Sequence, residues 1–285
     1  MNILVVGGTR FMGKHMVREL LSKGHEVTIA NRGLTQDEFA DRVNRVIIDR
    51  MNPGTIKAKL SDQHFDILFD TIAYCSNDVK ALLDHVSCEK YVMISTSSVY
   101  DEHMDTKEEE FDPYTEPVVW CDRKDYSYQE IKRQAERAIV QTYAHIPSVM
   151  VRFPYVIGTD DYTKRFQFYV EHIVNQIPMH VDGYDSQMAF VRSDEAGKFL
   201  ASFADNDFTG AINGASEGTI SVHQMTDYVT SKTGKSILLC ASAEEAPYNG
   251  EADYSTNVDK ARAIGFEFTP LHSWVYDLMD HWIDE

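Results

Sequence analysis

The sequence predicts an α/β fold: a doubly wound parallel sheet joined to a smaller, partly helical C-terminal region. Two observations support this prediction. Short apolar runs alternate with amphipathic stretches over the first 150 residues, and several runs are rich in valine and isoleucine. Nearly continuous apolar runs are typical of strands buried on both faces. Alternating strands and helices form a parallel sheet with right-handed crossovers.

Six apolar runs are expected to form the strands of this sheet. After the first run, Met12, Met16 and Leu20 recur at helical spacing, and Gly24 follows as a stop signal. A helix is therefore predicted between the first two strands. The predicted strands cover residues 3–6, 26–30, 45–48, 66–70, 91–95 and 148–153.

Helical periodicity returns beyond residue 154, where the regular alternation ends. Trp274 and Trp282 are expected on the buried face of the last helix. These segments predict a smaller region that packs on the sheet. The periodic stretches lie near residues 164–176, 193–205, 221–234 and 270–282.

Composition and charge restrict the class of protein. The 285 residues include 45 Asp and Glu against 27 Lys and Arg, a net charge of −18, and 43% are hydrophobic. This apolar content is too high for a disordered chain, and the charge argues against nucleic acid as the main partner. No apolar run approaches the roughly 18 residues of a membrane span, and no signal peptide is recognisable. We expect a cytoplasmic protein with free cysteines, no metal and no membrane contact.

An acidic stretch interrupts the predicted strands and helices. Residues 101–125 contain ten Asp and Glu, including the run Glu108, Glu109 and Glu110. A run of like charges is typical of a solvated loop. A long loop at the carboxyl end of a sheet also often covers a functional site. Both interpretations are kept as expectations.

A glycine-containing loop follows the first predicted strand and opens the first helix. Such a turn brings the backbone close to a pyrophosphate at the helix N-terminus, where a Cβ would block the approach. Gly7 and Gly13 take the outer positions of a G-x-x-G-x-x-G pattern, and Arg10 replaces the middle glycine. The context predicts a dinucleotide site. The expected cofactor contacts are Gly7, Gly8, Thr9, Arg10, Phe11, Met12 and Gly13.

The end of the second strand favours NADP over NAD. Sites for NAD usually place Asp or Glu there, whereas this chain has Asn31 and Arg32. An arginine can pair with a 2′-phosphate, and Arg10 on the adjacent loop is positioned to help. NAD remains the second possibility. Asp49, at the end of the third strand, is either a hydrogen-bond acceptor for the adenine amine or a turn residue.

Two tyrosine–lysine pairs occur at a spacing of one helical turn. Tyr128 and Lys132 fall on one face of a predicted helix after the fifth strand, at the expected cofactor edge. A lysine ammonium beside a phenol lowers the phenol's pKa and suits it to acid–base work. Tyr228 and Lys232 repeat the spacing in the later region, where a structural role is expected. The fifth strand ends in a run of hydroxyl residues, 95–98, that can contact a substrate oxygen.

Together these motifs resemble the extended short-chain dehydrogenase/reductase superfamily, in its NAD-dependent epimerase/dehydratase branch. The resemblance covers nearly the whole chain. It implies an NAD(P)-binding Rossmann domain over residues 1–153 and 189–214 and a substrate region over 154–188 and 215–285. The motifs are the 7–13 loop, the 95–100 segment, Tyr128 with Lys132, and the segments 152–158, 190–196 and 259–266.

The resemblance implies a catalytic set of Thr96, Tyr128 and Lys132, with Ser95 and Ser97 as alternatives to the threonine. Further expected cofactor contacts are Ala73, Phe153 and Tyr155. A small-molecule substrate, a nucleotide sugar or a similar compound, is expected to contact Ser97, Lys164, Arg165 and Arg192. Two alternatives stay open: Arg192 pairs with Asp194, and Lys164 with Arg165 begins a solvated helix. Relatives often dimerise through the helix that carries Tyr128, so a homodimer is possible.

The expected activity is hydride transfer at a secondary alcohol or ketone, as an epimerase or a reductase. Dehydration is not expected, because Ser97 and Ser98 stand where dehydratases carry Asp-Glu. The 7–13 loop followed by Asn31-Arg32-Gly33 also resembles bacterial reductase-like proteins and chloroplast stem-loop RNA-binding proteins. The alternative function is therefore an RNA- or nucleotide-binding regulatory protein without turnover. The charge and the intact tyrosine–lysine pair count against it.

Overall fold

A seven-stranded parallel sheet forms the centre of the molecule. The computed structural model describes all 285 residues. The strands of this sheet are β1 (Asn2–Val6), β2 (Glu26–Asn31), β3 (Asn44–Ile47), β4 (His64–Asp70), β5 (Ser87–Thr96), β6 (Ser148–Phe153) and β10 (Gly210–Asn213). Their order is β10-β6-β5-β4-β1-β2-β3. Two short parallel pairs lie outside it: β7 (Tyr155–Ile157) with β9 (Phe190–Arg192), and β8 (Met179–His180) with β11 (Glu244–Glu245).

Nine helices surround this sheet or build the C-terminal region. None of them is long and apolar enough to cross a lipid bilayer. In chain order they are α1 (Phe11–Ser22), α2 (Pro53–Leu60), α3 (Ser76–Leu83), α4 (Tyr128–Thr142), α5 (Arg165–Val174), α6 (Ser193–Ser202), α7 (Val222–Thr233), α8 (Asp259–Ala263) and α9 (Val275–Asp284).

The predicted fold class is confirmed; one strand of the seven-stranded sheet was missed, as were the four strands of the two short pairs outside it. All six predicted strands are present, although β5 begins at Ser87, earlier than predicted. The strand missed was β10, which pairs with β6 at the sheet edge. Its four residues include Gly210 and Asn213, so it has no apolar run that would identify it. Strand identity there comes from pairing with a distant neighbour rather than from local sequence.

Alternate residues of the strands enter separate cores on the two faces of the sheet. Ile3 and Val5 of β1 pack in the core that includes α1 and α6. Leu4 and Val6 pack in the opposite core, with α2, α3 and α4. This division follows from the two-residue period of a strand. A third core joins α5, α7 and α9, and there both Trp274 and Trp282 are buried, as predicted.

The carboxyl end of the sheet forms a crevice between β1 and β4. From β1 the chain runs outward through β2 to β3, then crosses back to β4 on the other side of β1 and continues outward to β5. Ligands of open α/β sheets bind at such a switch point. The loop after β1, Thr96 at the end of β5 and the N-terminus of α4 all lie at this edge.

The acidic stretch is tightly anchored to the protein. Arg152, with a side chain fully buried, donates hydrogen bonds to the carbonyl oxygens of Glu108 (2.8 Å) and Phe111 (3.2 Å). The side chain of Glu108 is itself buried, and its Oε1 accepts a hydrogen bond from the backbone amide of Asn213 at 2.9 Å. Residues 113–119 then cover α4, where Gln141 donates to the carbonyl oxygen of Pro113 at 2.7 Å. The stretch is therefore anchored at Glu108 and Phe111, while the other acidic residues of 101–125 are exposed to solvent, as the first interpretation expects.

Candidate active site

The loop after β1 has a backbone shape that excludes side chains at two glycines. Gly8 has φ of +76°, and a Cβ there would lie 2.5 Å from Cγ1 of Val5. A Cβ on Gly13, in the first turn of α1, would lie 3.0 Å from the Cα of Gly8. The loop and the helix therefore touch backbone to backbone, as a pyrophosphate cradle requires. The local geometry fits a dinucleotide.

We expect Gly13→Ala to weaken cofactor binding while the fold is kept. The added methyl group pushes on the Gly8 backbone by a few tenths of an ångström and displaces amides that face the phosphate. Loss of one such charge-assisted hydrogen bond corresponds to a roughly tenfold weaker affinity, measured by titration with NADH and NADPH. Gly24→Ala is the control, because Gly24 has φ of +80° and no neighbour within 4 Å of its Cβ position. It should cost about 1 kcal/mol of stability and leave the affinity unchanged; equal losses of affinity in both variants would contradict the cradle.

A cavity of about 320 Å³, the small cavity, lies between this loop and the ends of β2 and β3. Gly7, Thr9, Asn31, Arg32 and Asp49 line it, and all five were predicted as cofactor contacts. Asn31 Oδ1 accepts a hydrogen bond from the amide of Gly33 at 2.7 Å, which fixes the turn after β2. Asp49 Oδ1 accepts from the amide of Met51 at 3.0 Å, so Asp49 is at least a turn residue. Arg32 is exposed and forms no ion pair.

Arg123 and Tyr74 are among the residues of the small cavity that were not predicted from the sequence. Arg123, from the acidic stretch, donates from Nη2 to the carbonyl oxygen of Ile72 and from Nε to Asp78 Oδ2, both at 3.0 Å. Its guanidinium lies 4.4 Å from the ring centroid of Tyr74. No local signal marks Arg123, because its position depends on how the stretch folds back over α3. The stretch thereby adds a cation to the small cavity.

A larger cavity of about 670 Å³, the large cavity, adjoins the small one. Tyr74 lines both, so an extended ligand can occupy the two together. The large cavity lies between the carboxyl edge of the sheet and the C-terminal region. Its lining includes eight of the residues predicted for the site, namely Phe11, Met12, Thr96, Ser97, Tyr128, Phe153, Tyr155 and Arg165.

Tyr128 stands at the wall of the large cavity, in the first turn of α4. Ser127 caps this helix by accepting a hydrogen bond from the Glu130 amide. Burial of the phenol raises the pKa of Tyr128, while hydrogen bonding to Thr96 and the charge of Arg165 lower it in part. The expectation of a phenol with a lowered pKa is therefore not met in this arrangement. The protein atoms around the phenol desolvate it enough to outweigh the favourable groups, although Tyr128 keeps 48% of its surface exposed in the open cavity.

Lys132, one turn further along α4, is buried beneath the tyrosine. Its Nζ donates hydrogen bonds to the carbonyl oxygens of Ala73 at 2.7 Å and Ile94 at 2.9 Å. The same atom lies 6.0 Å from the ring centroid of Tyr128. Burial lowers the pKa of Lys132 to about 8. An ammonium has three N–H donors, so one remains beyond the two carbonyl contacts.

A buried ion pair lies next to Lys132 on the face of α4 that carries Tyr128 and Lys132. Glu136, the next residue on the same face of α4, accepts hydrogen bonds from Arg152 Nη2 at 2.6 Å and Nε at 3.0 Å. Ser95 also donates to Glu136, at 2.5 Å, so its hydroxyl is committed to this pair. Thr96 lines the large cavity beside Tyr128, and its hydroxyl donates to Ser98 Oγ at 3.1 Å, a contact that a substrate oxygen can replace. Thr96 is therefore the better placed of these two hydroxyls to meet a substrate.

Three predicted site cations lie outside both cavities. Lys164 pairs with Glu171 at 3.3 Å, and Arg192 pairs with Asp194 at 2.5 Å, which is the alternative left open above. The Arg10 guanidinium lies 5.7 Å from the ring centroid of Tyr162. Nearby carboxylates and rings determine where these long side chains lie, and of these partners the sequence indicated only Asp194.

The second tyrosine–lysine pair takes no part in the site. Tyr228 donates to Asp280 Oδ1 at 2.8 Å, and Lys232 contacts Asp280 Oδ2 at 2.9 Å. These contacts tie α7 to α9 in the C-terminal region. The same spacing therefore serves a structural role at one position and lines a cavity at the other.

A family model matches the part of the chain that contains the loop after β1. Residues 3–195, more than half of the chain, match the model described as the NAD dependent epimerase/dehydratase family. The chain belongs to the NAD-dependent epimerase/dehydratase family. The match includes the loop after β1, both cavity-lining helix starts, α1 and α4, and the end of β5.

Two solved epimerase structures share the fold over the entire chain. A UDP-glucose 4-epimerase from Thermotoga maritima, solved with UDP-glucose, aligns at 17% identity and a TM-score of 0.75, over 100% of this chain and 98% of its own. A UDP-glucuronic acid 4-epimerase from Bacillus cereus, solved with UDP-glucuronic acid and NAD, aligns at 17% and 0.72 over 100% and 98%. At this identity the likeness shows the fold alone.

One curated relative has a different described role. The chloroplast stem-loop binding protein of 41 kDa b from Arabidopsis thaliana is 30% identical over 112 residues, which are 34% of this chain and 30% of that protein. The chain thus matches less than a third of this relative's length.

Proposed function

We propose that the protein transfers hydride between a nicotinamide cofactor and a secondary alcohol or ketone of a sugar or similar small molecule. The observation that carries this proposal is the position of Tyr128 and Thr96 in the wall of the large cavity, with Lys132 one helical turn further along α4. Tyr128 and Lys132 both lie beside the ring of Tyr74, which lines the two cavities. Residues 1–153 and 189–214 would hold the cofactor, and residues 154–188 and 215–285 would hold the substrate. A cytoplasmic location remains a prediction.

Tyr128 and Thr96 handle the proton of the reacting oxygen. When an alcohol is oxidised, Tyr128 accepts the hydroxyl proton while Thr96 hydrogen-bonds the same oxygen. When a ketone is reduced, Tyr128 donates that proton, and its raised pKa keeps it protonated beforehand. The nicotinamide supplies or takes up the hydride when it is bound.

Lys132 and the glycine loop position the cofactor. Two N–H groups of Lys132 are held by the carbonyl oxygens of Ala73 and Ile94, and the third is available for a ribose hydroxyl. Gly7 and Gly8 allow the pyrophosphate to approach the backbone. Phe153 and Tyr155 border the large cavity, on the side of the expected nicotinamide ring.

Cofactor binding should weaken as the pH rises through about 8, the pKa of Lys132. Below this pH the ammonium keeps its third donor, and above it the neutral amine has only two N–H groups and both are engaged. Loss of a hydrogen bond from a charged group corresponds to a roughly tenfold weaker affinity. Titrations with NADH between pH 7 and 9.5 would measure this effect. The Lys132→Met variant should bind NADH weakly, and its affinity should not change with pH in this range. A pH dependence that persists in the variant would assign the effect to another group.

We propose NADP as the preferred cofactor, because Arg32 lines the small cavity without an ion-pair partner. Arg32→Ala should weaken NADPH binding by roughly tenfold or more, the worth of a charge-assisted contact, and leave NADH binding nearly unchanged. Arg262→Ala is the matched control, because Arg262 is an exposed arginine of the C-terminal region that pairs with Glu217. Equal affinities for NADH and NADPH in the unchanged protein would contradict the preference for NADP. NAD, which is present in solved structures of similar fold, would then be the second candidate.

The RNA-binding alternative has weaker support. Its basis is the partial match to the chloroplast protein, which covers 34% of this chain. A net charge of −18 opposes contact with phosphates. A homodimer through α4 is not part of the proposal either, because residues 113–119 of the same chain cover that helix.

A further inference from the structure

The large cavity carries more carboxylates than cations. Its acidic lining residues are Asp101, Glu102, Asp161 and Glu251, whereas Arg165 is its single basic lining residue. A diphosphate in a cavity needs cationic partners to offset its lost hydration. The neighbouring cations Lys164 and Arg192 are already paired with carboxylates outside the cavity. The cavity is therefore poorly suited to the diphosphate of a nucleotide sugar.

Two hydroxyl groups of the cavity wall have no partner in the protein. The side-chain oxygen of Tyr248, a residue that is 1% exposed, forms no hydrogen bond, and neither does the buried Oγ1 of Thr256. Both residues line the large cavity. Buried polar groups are almost always satisfied, so a buried group without a partner requires an explanation. These two hydroxyls suit the hydroxyl groups of a sugar-like molecule.

Two carboxylates lie close to this wall. Glu251 accepts a hydrogen bond from the Tyr155 hydroxyl at 2.6 Å. Burial and, to a smaller extent, the negative charge of Glu102 raise the pKa of Glu251, although the Tyr155 hydrogen bond and Arg165 offset part of this effect. A ligand ammonium between the two carboxylates would relieve their repulsion. The ring centroids of Tyr155 and Tyr248 are 4.8 Å apart, and aromatic faces also attract cations.

We propose that the large cavity binds a polyhydroxylated amine, such as an amino sugar, rather than a nucleoside diphosphate sugar. Its hydroxyl groups would meet Tyr248 and Thr256, and its ammonium would meet Glu251 and Glu102. The reacting carbon would lie at Tyr128. This inference rests on the proposed hydride-transfer function and narrows its substrate class.

Calorimetric titrations with three related sugars test the proposal. Protein saturated with NADPH or NAD is titrated with glucosamine, glucose and UDP-glucose. We expect glucosamine to bind at least about tenfold more tightly than glucose, as a charge-assisted contact provides, and UDP-glucose to bind no more tightly than glucose. Tighter binding of UDP-glucose than of glucosamine, or no saturable glucosamine binding, would overturn the proposal. Cofactor titration without sugar separates this failure from failure of the proposed function.

Three variants locate the expected contact. Glu251→Gln should weaken glucosamine binding by about tenfold, whereas Glu267→Gln, which makes the same charge change at an exposed residue without an ion pair, should not. Tyr248→Phe removes an unpartnered hydroxyl, so it should weaken sugar binding by about fivefold without lowering the melting temperature. Equal glucosamine affinities in the Glu251→Gln and Glu267→Gln variants would contradict the proposed ammonium contact.

Discussion

Replacement of Tyr128 by phenylalanine is expected to reduce turnover by about a thousandfold, the usual contribution of a general acid–base. The phenol lines the large cavity beside Thr96, so its loss leaves the reacting oxygen without a proton partner. Cofactor affinity should stay within about twofold, because the ring itself is kept and the hydroxyl is assigned to the substrate. The assay follows the absorbance of reduced nicotinamide with a sugar that the unchanged protein oxidises.

Tyr228→Phe provides the control for this experiment. Tyr228 belongs to the second tyrosine–lysine pair and donates its hydroxyl to Asp280 between α7 and α9. Its replacement should lower stability slightly and leave turnover unchanged. Comparable losses of turnover in the two variants would show that Tyr128 acts only through the fold. Loss of turnover in Tyr228→Phe alone would place the site in the C-terminal region.

The largest effect on stability is expected at Arg152. Both Arg152 and Glu136 have fully buried side chains, and Arg152 also holds the carbonyl oxygens of Glu108 and Phe111. Arg152→Met leaves the Glu136 carboxylate buried without its cation, which costs about 3–5 kcal/mol in comparable pairs. Urea unfolding would measure the loss. The acidic stretch should become more susceptible to proteolysis, because two of its anchoring hydrogen bonds are removed.

Two further variants separate this ion pair from a general charge effect. Arg262→Met removes an exposed guanidinium that pairs with Glu217, and it should leave the free energy of unfolding nearly unchanged. The double variant Glu136→Gln with Arg152→Met removes both charges and should recover part of the loss, since no buried charge is left unpaired. A single Arg152→Met variant as stable as the unchanged protein would contradict the assigned role.

The parts of the site that sequence analysis found are those encoded within a few residues. The strand, turn and helix around Gly8 and Gly13 carry their own geometry, and the four-residue spacing of Tyr128 and Lys132 places them on one helix face. Strand β10 was missed because only its pairing with β6 makes it a strand.

The parts that were missed depend on contacts between distant segments. Glu251 and Tyr248 reach the cavity because the segment that follows β11 folds against the sheet edge, and no motif marks them. Lys164 and Arg192 were predicted as substrate contacts, but each found a carboxylate nearby. The pKa of Tyr128 likewise depends on burial, which spacing in the sequence does not reveal.

The most direct test of the central claim is to denature the purified protein, identify any released nucleotide by mass spectrometry, and titrate the emptied protein with NADPH and NADH. The account predicts saturable binding of one nicotinamide dinucleotide per chain, reduced by Gly13→Ala. Cofactor retained through purification would indicate an epimerase that recycles its hydride, and an empty site that binds NADPH would indicate a net reductase. Failure to bind either nucleotide would contradict the proposed function and make the RNA-binding alternative the stronger one.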